Sequence, residues 1–527
     1  MAEIGVGVEP WRARTMKTGG YLATVVALIA IWFLVTRLGW ISSQILPAPG
    51  DVLGSVGPLA SSGELQSSLG TTLFRILMSF LLGVVLGVPL GGFAWRFPGA
   101  GQAMRPYLAA SYSVPLVVFY PFFLVVFGIN DWPVIALTTV MTTVPVCLNT
   151  YVGLQAAPKV LVDVGRSLER TPGQIFRQIL LPSAWPHTLA GIKLSMVYAV
   201  VGVIALEFIA AQAGLGNRIQ YYYETFDPDS MYVFIILTLL LAGFCVALVV
   251  VIEALTTHGR GTFVMTGHSG AVASRADAPT TGGAGIRAGL RAIVIPALAL
   301  IVWYILSRLV FVVVSPPVAI RTLIRDLGNV QYLGDLGDTL MKIAIAFAVS
   351  AILGTVIGIT VGLVRPAREI FEPLILILNG VPKIVLYPIL LVIFGLGGIS
   401  QIIMGIIFGT LPVLVNVMSG LATMRPVYRK VARMLEVGPM RALFRVYLPA
   451  VMPMLIVALQ LGFSLSVLGV LYSELIASRN GLGQRIIETY SAGIYDRMTA
   501  SVLVVLFIAL SGAWLLHLVE RSVMRHH

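Results

Sequence analysis

The chain has 527 residues, of which 58% are hydrophobic and only 11% are charged, and its formal net charge is +12. Soluble domains usually carry about 25% charged residues, so this composition excludes an ordinary soluble enzyme. Apolar runs of about 20 residues, long enough to cross the hydrocarbon core of a bilayer, recur along the whole chain. The sequence therefore predicts an all-α membrane protein that crosses the bilayer many times.

The apolar runs predict about twelve transmembrane helices, arranged as two tandem six-helix repeats. The predicted spans of the first half are 21–38, 68–95, 104–128, 131–155, 183–211 and 231–255. Those of the second half are 288–314, 338–364, 371–396, 398–422, 449–477 and 498–520. Residue 21 opens a stretch that lacks the features of a cleaved signal peptide, so we expect it to be retained as the first span.

A segment rich in Gly, Ala, Ser and Thr separates the halves and is predicted to be a flexible cytoplasmic linker, residues 256–286. It divides the chain into a first domain, 1–255, and a second domain, 287–527. The basic residues lie in short loops between the apolar runs, which argues against a nucleic-acid partner. The two cysteines and six histidines have no disulfide or metal-ligand spacing, so no metal is predicted.

The two halves repeat one another at a constant offset. Residues 114–128 read VPLVVFYPFFLVVFG, residues 381–395 read VPKIVLYPILLVIFG, and nine of these fifteen positions are identical at an offset of 267 residues. The paired prolines in both segments predict kinks in the third span of each half. A repeat this long is a duplicated domain, so the chain is predicted to be a fused pseudo-dimer that needs no second copy of itself.

Lysine and arginine collect in the loops that follow the second, fourth and sixth spans of each half. The N-terminal arm and the C-terminus are basic as well. All of these segments lie on one side of the predicted membrane, and the positive-inside rule makes that side cytoplasmic. Both termini are therefore predicted to be cytoplasmic. The linker then joins two cytoplasmic ends, so the halves run parallel and are related by an axis along the membrane normal.

The longest cytoplasmic loop of each half carries the same landmarks. In the first half they are Asp163, Gly165, Glu169, Gly173, Phe176, Arg177 and Pro182. In the second half they are Lys430, Ala432, Glu436, Leu443, Phe444, Arg445 and Pro449. These landmarks resemble the EAA loop of binding-protein-dependent ABC importer permeases. In that family the loop folds as two short helices, one of which docks into a groove on a cytoplasmic ATPase. The alternative is an ordinary basic connection with an amphipathic surface helix.

Other motifs are similar to the nitrate, sulfonate and taurine importer group. They are Thr72-Leu73-Phe74-Arg75, Pro145 with Asn149, and the Gly-Leu-Gly sequence at 214–216, with second copies at 339–342, 412 with 416, and 481–483. The resemblance implies the transmembrane domain of a type I ABC importer in the plasma (inner) membrane of a prokaryote. It also implies two cytoplasmic ATPase subunits and an extracytoplasmic solute-binding protein as partners.

The loops depart from the family pattern in mid-loop, where the usual glycine is Glu169 or Glu436. Glutamate favours a continuous helix, where glycine would permit a tight turn between the two short helices. The family's usual Glu-Ala-Ala opening is also altered, to Asp163-Val164-Gly165 and Lys430-Val431-Ala432.

Charged residues inside a membrane are costly and usually have a role. Lys383 lies deep in a predicted span where its repeat partner is Leu116, and Lys193 is similarly deep with Gln460 as its partner. Both lysines are candidates to line the pathway and attract an anion, with Gln460, Asn149 and Asn416 as further candidates. The alternatives are that Lys193 snorkels or pairs with a helix carbonyl, and that the asparagines stabilise helix packing.

Two further carboxylates precede the glycine loops at the outer ends of their spans. They are Glu207, before Gly214 and Gly216, and Glu474, before Gly481 and Gly483. They are candidates for an outer gate or for contact with a docked binding protein. An interface-level carboxylate hydrogen-bonded to the backbone is the alternative.

The chain has no Gly-x-x-x-x-Gly-Lys-Ser/Thr phosphate loop, so we predict that it is not an enzyme and binds no cofactor. ATP and Mg²⁺ would be held by the partner ATPase. The resemblance implies inward transport of a small anion such as nitrate, a sulfonate or taurine, or of a thiamine-precursor pyrimidine, by alternating access. An ion-coupled secondary transporter with twin six-helix halves is the alternative from another class. A membrane enzyme is disfavoured because no cluster of His, Asp, Glu or Ser supports chemistry.

Overall fold

The computed structural model describes residues 29–111, 114–256, 284–310, 313–424 and 438–524, with the isolated residues 26, 427, 428, 430 and 434. Every regular element within these residues is helical, which confirms the predicted all-α class. Eight of the described helices are long and apolar enough to cross a membrane. Most of the linker lies outside the described residues, so its flexibility stays a prediction.

The first half contains α1 (29–37), α2 (Pro49–Ser61), α3 (Glu64–Arg96), α4 (Pro98–Ala110), α5 (Tyr120–Phe127), α6 (Trp132–Gln155), α7 (Lys159–Ser167), α8 (Pro172–Ile175), α9 (Leu181–Ala210), α10 (Leu215–Glu224) and α11 (Pro228–Thr256). The second half contains α12 (Ala284–Leu309), α13 (Pro316–Asp326), α14 (Val330–Leu363), α15 (Arg365–Gly380), α16 (Tyr387–Phe394), α17 (Gly398–Thr423), α18 (Pro439–Ala442), α19 (Leu448–Ile476), α20 (Leu482–Ser491) and α21 (Tyr495–Met524). Helices α2 to α6 correspond in order to α13 to α17.

The third predicted span of the first half, 104–128, is not one continuous helix. α4 ends at Ala110, and a separate apolar segment follows as a 3₁₀ turn (Leu116–Phe119) and α5. Pro115 explains the break, because proline has no N–H to donate and its ring clashes with the preceding turn. Pro121 is accommodated because it lies in the first turn of α5, where the N–H would have no helical partner.

The second half repeats this interruption around Pro382, so that a 3₁₀ turn (Lys383–Leu386) and α16 follow α15. The interrupted spans also join the two halves. α5 contacts α20 and α16 contacts α10, which is the reciprocal pattern expected of a two-fold arrangement. The 3₁₀ turn at Lys383 contacts α9, and α9 contacts α19. One buried apolar cluster includes residues of both halves, such as Ile204 and Val470.

The long helices differ in how much of their apolar surface they bury. In the most apolar window of α6, 72% of the residues are buried, compared with 28% in α3 and 22% in α21. The exposed side chains of α3 include Leu81, Val85 and Phe93. Apolar surface this continuous requires a lipid environment, so α6 belongs to the interior of the bundle and α3 and α21 to its lipid-facing side.

Glycines set the distance between the packed long helices. α3 approaches α6 through Gly83, Gly87 and Gly91, where a Cβ atom on Gly91 would lie 2.6 Å from the carbonyl oxygen of Cys147. α14 approaches α17 through Gly354, Gly358 and Gly362. Small residues let helix backbones come close, which is the main source of packing energy between helices in lipid.

We expect Gly91→Ala to destabilise the purified chain by about 1–3 kcal/mol, because the added methyl group overlaps backbone atoms of α6. Gly92→Ala is the matched control, since a Cβ at Gly92 meets nothing within 4 Å. Thermal unfolding of both variants in detergent measures the difference. Equal unfolding temperatures for the two variants would contradict this account of the α3–α6 contact.

Candidate coupling loops and translocation path

The first predicted coupling loop begins with α7, whose buried Gly165 faces the start of the next helical segment. A Cβ atom at Gly165 would lie 2.8 Å from Cδ1 of Ile179 and 3.3 Å from Cγ1 of Ile175. A glycine here allows α7 to lie close against this segment. Asp163 is exposed and forms an ion pair of 3.5 Å with Arg166, one turn along α7.

The first loop turns between its two short helices, although glutamate at this position favours a continuous helix. α7 ends at Ser167, and Glu169 adopts the left-handed conformation with φ of +54°. The N–H of Arg170 donates to the carbonyl of Gly165 at 3.1 Å, and the N–H of Glu169 donates to that of Arg166 at 3.0 Å. These two bonds form a Schellman motif, which ends the helix even though the left-handed residue is not glycine. Glu436 and Ala432 of the second loop lie outside the described residues.

α8 begins at a capping box. The side chain of Thr171 accepts a hydrogen bond from the backbone of Gln174, and the side chain of Gln174 accepts one from the backbone of Thr171. Two of the unpaired N–H groups at the helix start are satisfied in this way. Gly173 lies in this first turn and is exposed. The helix start is therefore determined locally.

Phe176 lies on the exposed face of the loop, at the start of a π-helical turn (Phe176–Leu180) that continues into α9. Its ring packs against Trp95 with centroids 5.9 Å apart, which leaves 37% of the side chain exposed. Arg177 is exposed beside it, and Pro182 lies in the first turn of α9. An open groove of about 400 Å³ between α7 and this segment is lined by Leu161, Val164 and Ile179, among others.

The second loop has a similar end but a more exposed aromatic residue. A π-helical turn (Leu443–Tyr447) joins α18 to α19, as in the first half. Phe444 is 61% exposed, because the position equivalent to Trp95 is Gly362 and offers no ring to cover it. Lys430 and Arg445 are exposed, Leu443 is half-buried, and Pro449 lies in the first turn of α19.

At the other end of α9, Glu207 is fully buried in a polar cluster. Its carboxylate accepts hydrogen bonds from Arg75 at 2.8 Å, from Thr72 at 2.9 Å and from the N–H of Gly216 at 3.1 Å. Arg75 also donates to the carbonyl of Ala213 at 2.7 Å and pairs with the half-exposed Asp131 at 2.5 Å. The cluster ties α3, α9 and the start of α10 together.

The second half builds the same cluster around the buried Glu474. The carboxylate accepts hydrogen bonds from Lys342 at 3.1 Å, from Thr339 at 3.0 Å and from the N–H of Gly483 at 2.9 Å. The basic residue of this cluster has a different second acidic partner. Lys342 pairs with Asp338 on its own helix at 2.5 Å, whereas Arg75 pairs with Asp131. The sequence motifs included Arg75 and Lys342 but did not identify them as partners of the two glutamates. A basic residue at the same position of both repeats, within an apolar span, is the signal that identifies them.

The glycine loops are closed over these carboxylates. Gly214 has φ of +108° and Gly481 has φ of +114°, and a Cβ atom at either would lie within 2.3 Å of a glutamate oxygen. This geometry agrees with the alternative hypothesis that Glu207 and Glu474 are carboxylates held by hydrogen bonds, which here include one from a backbone N–H. Their role at an outer gate remains a prediction.

Lys193 forms a buried ion pair, and its place on a substrate path remains a prediction. Its ammonium lies 2.8 Å from the carboxylate of Glu253 in the last turn of α11. The second half has Gln460 donating to Glu520 at 3.1 Å, and His517 also contacts Glu520. The sequence reading missed both acidic partners, which lie at equivalent positions 267 residues apart.

Asn149 and Asn416 make bonds within their own helices. Each side-chain amide donates at 2.8 Å to the carbonyl of the proline four residues earlier, Pro145 or Pro412. These bonds turn the amides toward the helix backbone. Their place on a substrate path remains a prediction.

Lys383 lies at the start of the 3₁₀ turn that contacts α9, α17 and α19, between the two halves. Only 9% of the residue is exposed. Its ammonium lies 5.6 Å from the centroid of the Phe408 ring. Within the part of the chain that the structure describes, it makes no ion pair or hydrogen bond.

The model of the family described as "Binding-protein-dependent transport system inner membrane component" matches the chain twice, at residues 79–258 and 350–525. A protein of Brucella melitensis named as an ABC transporter permease is 29% identical over 42% of this chain and 89% of its own length. A Bacillus subtilis permease protein named for transport of aliphatic sulfonates is 32% identical over 40% of this chain and 76% of its own length. A Halalkalibacterium halodurans permease protein named for formylaminopyrimidine transport is 28% identical over 41% of this chain and 87% of its own length.

We expect Arg75→Met to destabilise the chain by about 3–5 kcal/mol, because Glu207 would be left as a buried charge without its partner. The double variant Arg75→Met/Glu207→Leu removes both charges and is expected to recover much of that loss. Arg166→Met, at a side chain that is 71% exposed, controls for the loss of a positive charge. Thermal unfolding of the purified variants measures the effect. A double variant no more stable than Arg75→Met would contradict the pairing.

Proposed function

The chain belongs to the family of inner-membrane components of binding-protein-dependent transport systems, and we propose that it is the fused permease of an ABC importer. In this proposal the chain forms the path for a small solute, and two separate cytoplasmic ATPases supply the energy. An extracytoplasmic binding protein delivers the solute to the outer loops, residues 212–230 and 478–497. ATP and Mg²⁺ are held by the ATPases.

The observation that carries the proposal is a continuous helical connection in each half between an exposed loop and a buried cluster. Helical residues continue without a break from Pro172 to Ala210 and from Pro439 to Ile476. At 1.5 Å per residue, Phe176 and Glu207 are separated by about 45 Å along the helix. In this proposal a push on the loop is carried along the helix to its opposite end. The contact of α9 with α19 supports a position for both helices at the boundary between the halves.

This arrangement supports alternating access. Closure of the two ATPases on ATP would move the first loop (158–182) and the second loop (425–449) toward each other. Each loop would carry its long helix with it, and the halves would rock about the axis between them. Hydrolysis would then reset the pair. The positive-inside charge distribution supports loops and termini on the cytoplasmic side.

The surroundings of the embedded carboxylates favour this reading over an ion-coupled transporter. Proton or sodium coupling needs a carboxylate that is free to change partners during transport. Glu207 and Glu474 are each held by a basic residue, and Glu253 is held by Lys193. Glu520 is held by Gln460 and His517. These four groups are engaged in structural contacts, which leaves the external ATPase as the better supported energy source.

The solute is proposed to be a small anion such as nitrate, a sulfonate or taurine. A relative named for aliphatic sulfonates and the embedded Lys383 both support this choice. A thiamine-precursor pyrimidine is the second candidate, supported by the relative named for formylaminopyrimidine.

We expect Phe176→Asp and Phe444→Asp each to weaken co-purification of the ATPase, and the double variant to abolish it, because a charge would replace an exposed ring on each docking surface. Phe226→Asp is a matched control at a 90% exposed phenylalanine in the proposed outer loop. Full retention of the ATPase by the double variant would show that the docking surfaces lie elsewhere.

We expect uptake in proteoliposomes to require ATP, the ATPase and the binding protein together. Solute accumulation is measured with ATP, with a non-hydrolysable ATP analogue, and with an imposed proton or sodium gradient. Accumulation driven by the cation gradient in the absence of the ATPase would favour the secondary transporter and reject the importer.

A further inference from the structure

The duplication provides an internal comparison of the two faces that meet between the halves. The second half has a cation, a large ring and a phenol at three positions, Lys383, Phe408 and Tyr472. At the same offset of 267 residues, the first half has Leu116, Met141 and Ala205. The same fold is therefore built in the first half with apolar side chains at all three positions.

The three side chains of the second half are adjacent. The Lys383 ammonium lies 5.6 Å from the centroid of the Phe408 ring, and the Phe408 ring lies 6.0 Å from that of Tyr472, tilted by 46°. Tyr472 is fully buried, and its hydroxyl has no hydrogen-bond partner among the described residues. The group thus combines a buried cation with a buried, unused hydroxyl donor.

Neither polar group contributes to the fold in a way that explains its presence. A buried hydroxyl or ammonium without a partner loses its hydration and gains no bond in return. The attraction between the ammonium and the Phe408 ring offsets only part of that loss. Leucine and alanine at the equivalent positions avoid the cost altogether. Polar groups kept at such a cost inside a membrane usually serve binding or transport.

The group also lies at the boundary between the two halves. The 3₁₀ turn that starts at Lys383 contacts α9 of the opposite half as well as α17 and α19. Tyr472 lies on α19, which itself contacts α9 of the opposite half. Rocking of the halves would open this boundary.

We propose that Lys383, Phe408 and Tyr472 form a one-sided subsite for the anionic group of the transported solute. The ammonium pairs with a sulfonate, nitrate or carboxylate oxygen, the Tyr472 hydroxyl donates a hydrogen bond to the same group, and the Phe408 ring covers its apolar side. The first half contributes the apolar face opposite. This inference rests on the proposed function, because it assumes that the boundary between the halves is the transport path.

The test replaces each residue by its counterpart in the first half, giving Lys383→Leu, Phe408→Met and Tyr472→Ala. The fold accommodates these residues at the equivalent positions, so the variants are expected to fold. Lys383→Arg keeps the charge, and Arg308→Leu removes a charge from an exposed side chain on α12 as a control. Binding of ethanesulfonate and of nitrate to the purified full chain is measured by calorimetry in nanodiscs of neutral phosphatidylcholine.

We expect the wild type, Lys383→Arg and Arg308→Leu to bind these anions. Lys383→Leu should bind them at least about tenfold more weakly, because a hydrogen bond to a charged group is lost. Tyr472→Ala should show a smaller loss. The same order is expected for ATP-driven uptake by the assembled transporter. Unchanged affinity and uptake in Lys383→Leu would overturn the subsite while leaving the importer intact. No anion binding by the wild type would also overturn it, whereas uptake independent of ATP would reject the importer itself.

Discussion

A buried carboxylate held by a basic residue ties each half of this protein together. Glu207 and Glu474 each accept hydrogen bonds from a cation, a threonine and a glycine N–H. These donors come from separate helices, so one carboxylate fixes the positions of three elements. In a lipid environment water does not compete for these bonds, and an unpaired member would be costly. The long helix that begins at each exposed loop therefore ends in an anchored position rather than a free one.

Duplication has kept this framework and changed what surrounds it. Arg75 finds its second acidic partner on another helix, whereas Lys342 finds one on its own helix. Trp95 covers Phe176, but the equivalent position beside Phe444 is a glycine. The two exposed loops are therefore chemically different surfaces on equivalent supports. Divergence at the surface costs little stability, because the anchors that position both long helices are retained.

The boundary between the halves also keeps a shared framework while its side chains differ between the two repeats. Elsewhere in the described membrane-embedded region, strong charges such as those of Lys193 and Glu253 satisfy each other. Lys383 instead faces an aromatic ring at the junction of the two repeats. A fused chain permits this one-sided arrangement, because each half can vary independently, whereas two identical subunits would place a second lysine across the axis.

Several features followed from the sequence alone. The membrane-protein class follows from composition, because no other environment tolerates so much apolar surface. The duplication is visible as a constant offset, and the family follows from landmarks in the two loops. The prolines indicated a disturbance in each third span, since the missing N–H is a local property of the residue. The helix start at Thr171 and Gln174 was not predicted, although its hydrogen bonds also join close neighbours in the chain.

Tertiary structure decided which distant groups meet. Nothing local shows that Arg75 reaches Glu207, or that Lys193 reaches Glu253, because these pairs lie 132 and 60 residues apart. The turn at Glu169 likewise overrode the helix preference of glutamate, through hydrogen bonds that close the end of α7. Composition and periodicity determine where helices form and what solvent surrounds them. Partner choice depends on how the helices pack, and that is set by side-chain shapes and close glycine contacts summed over the whole bundle.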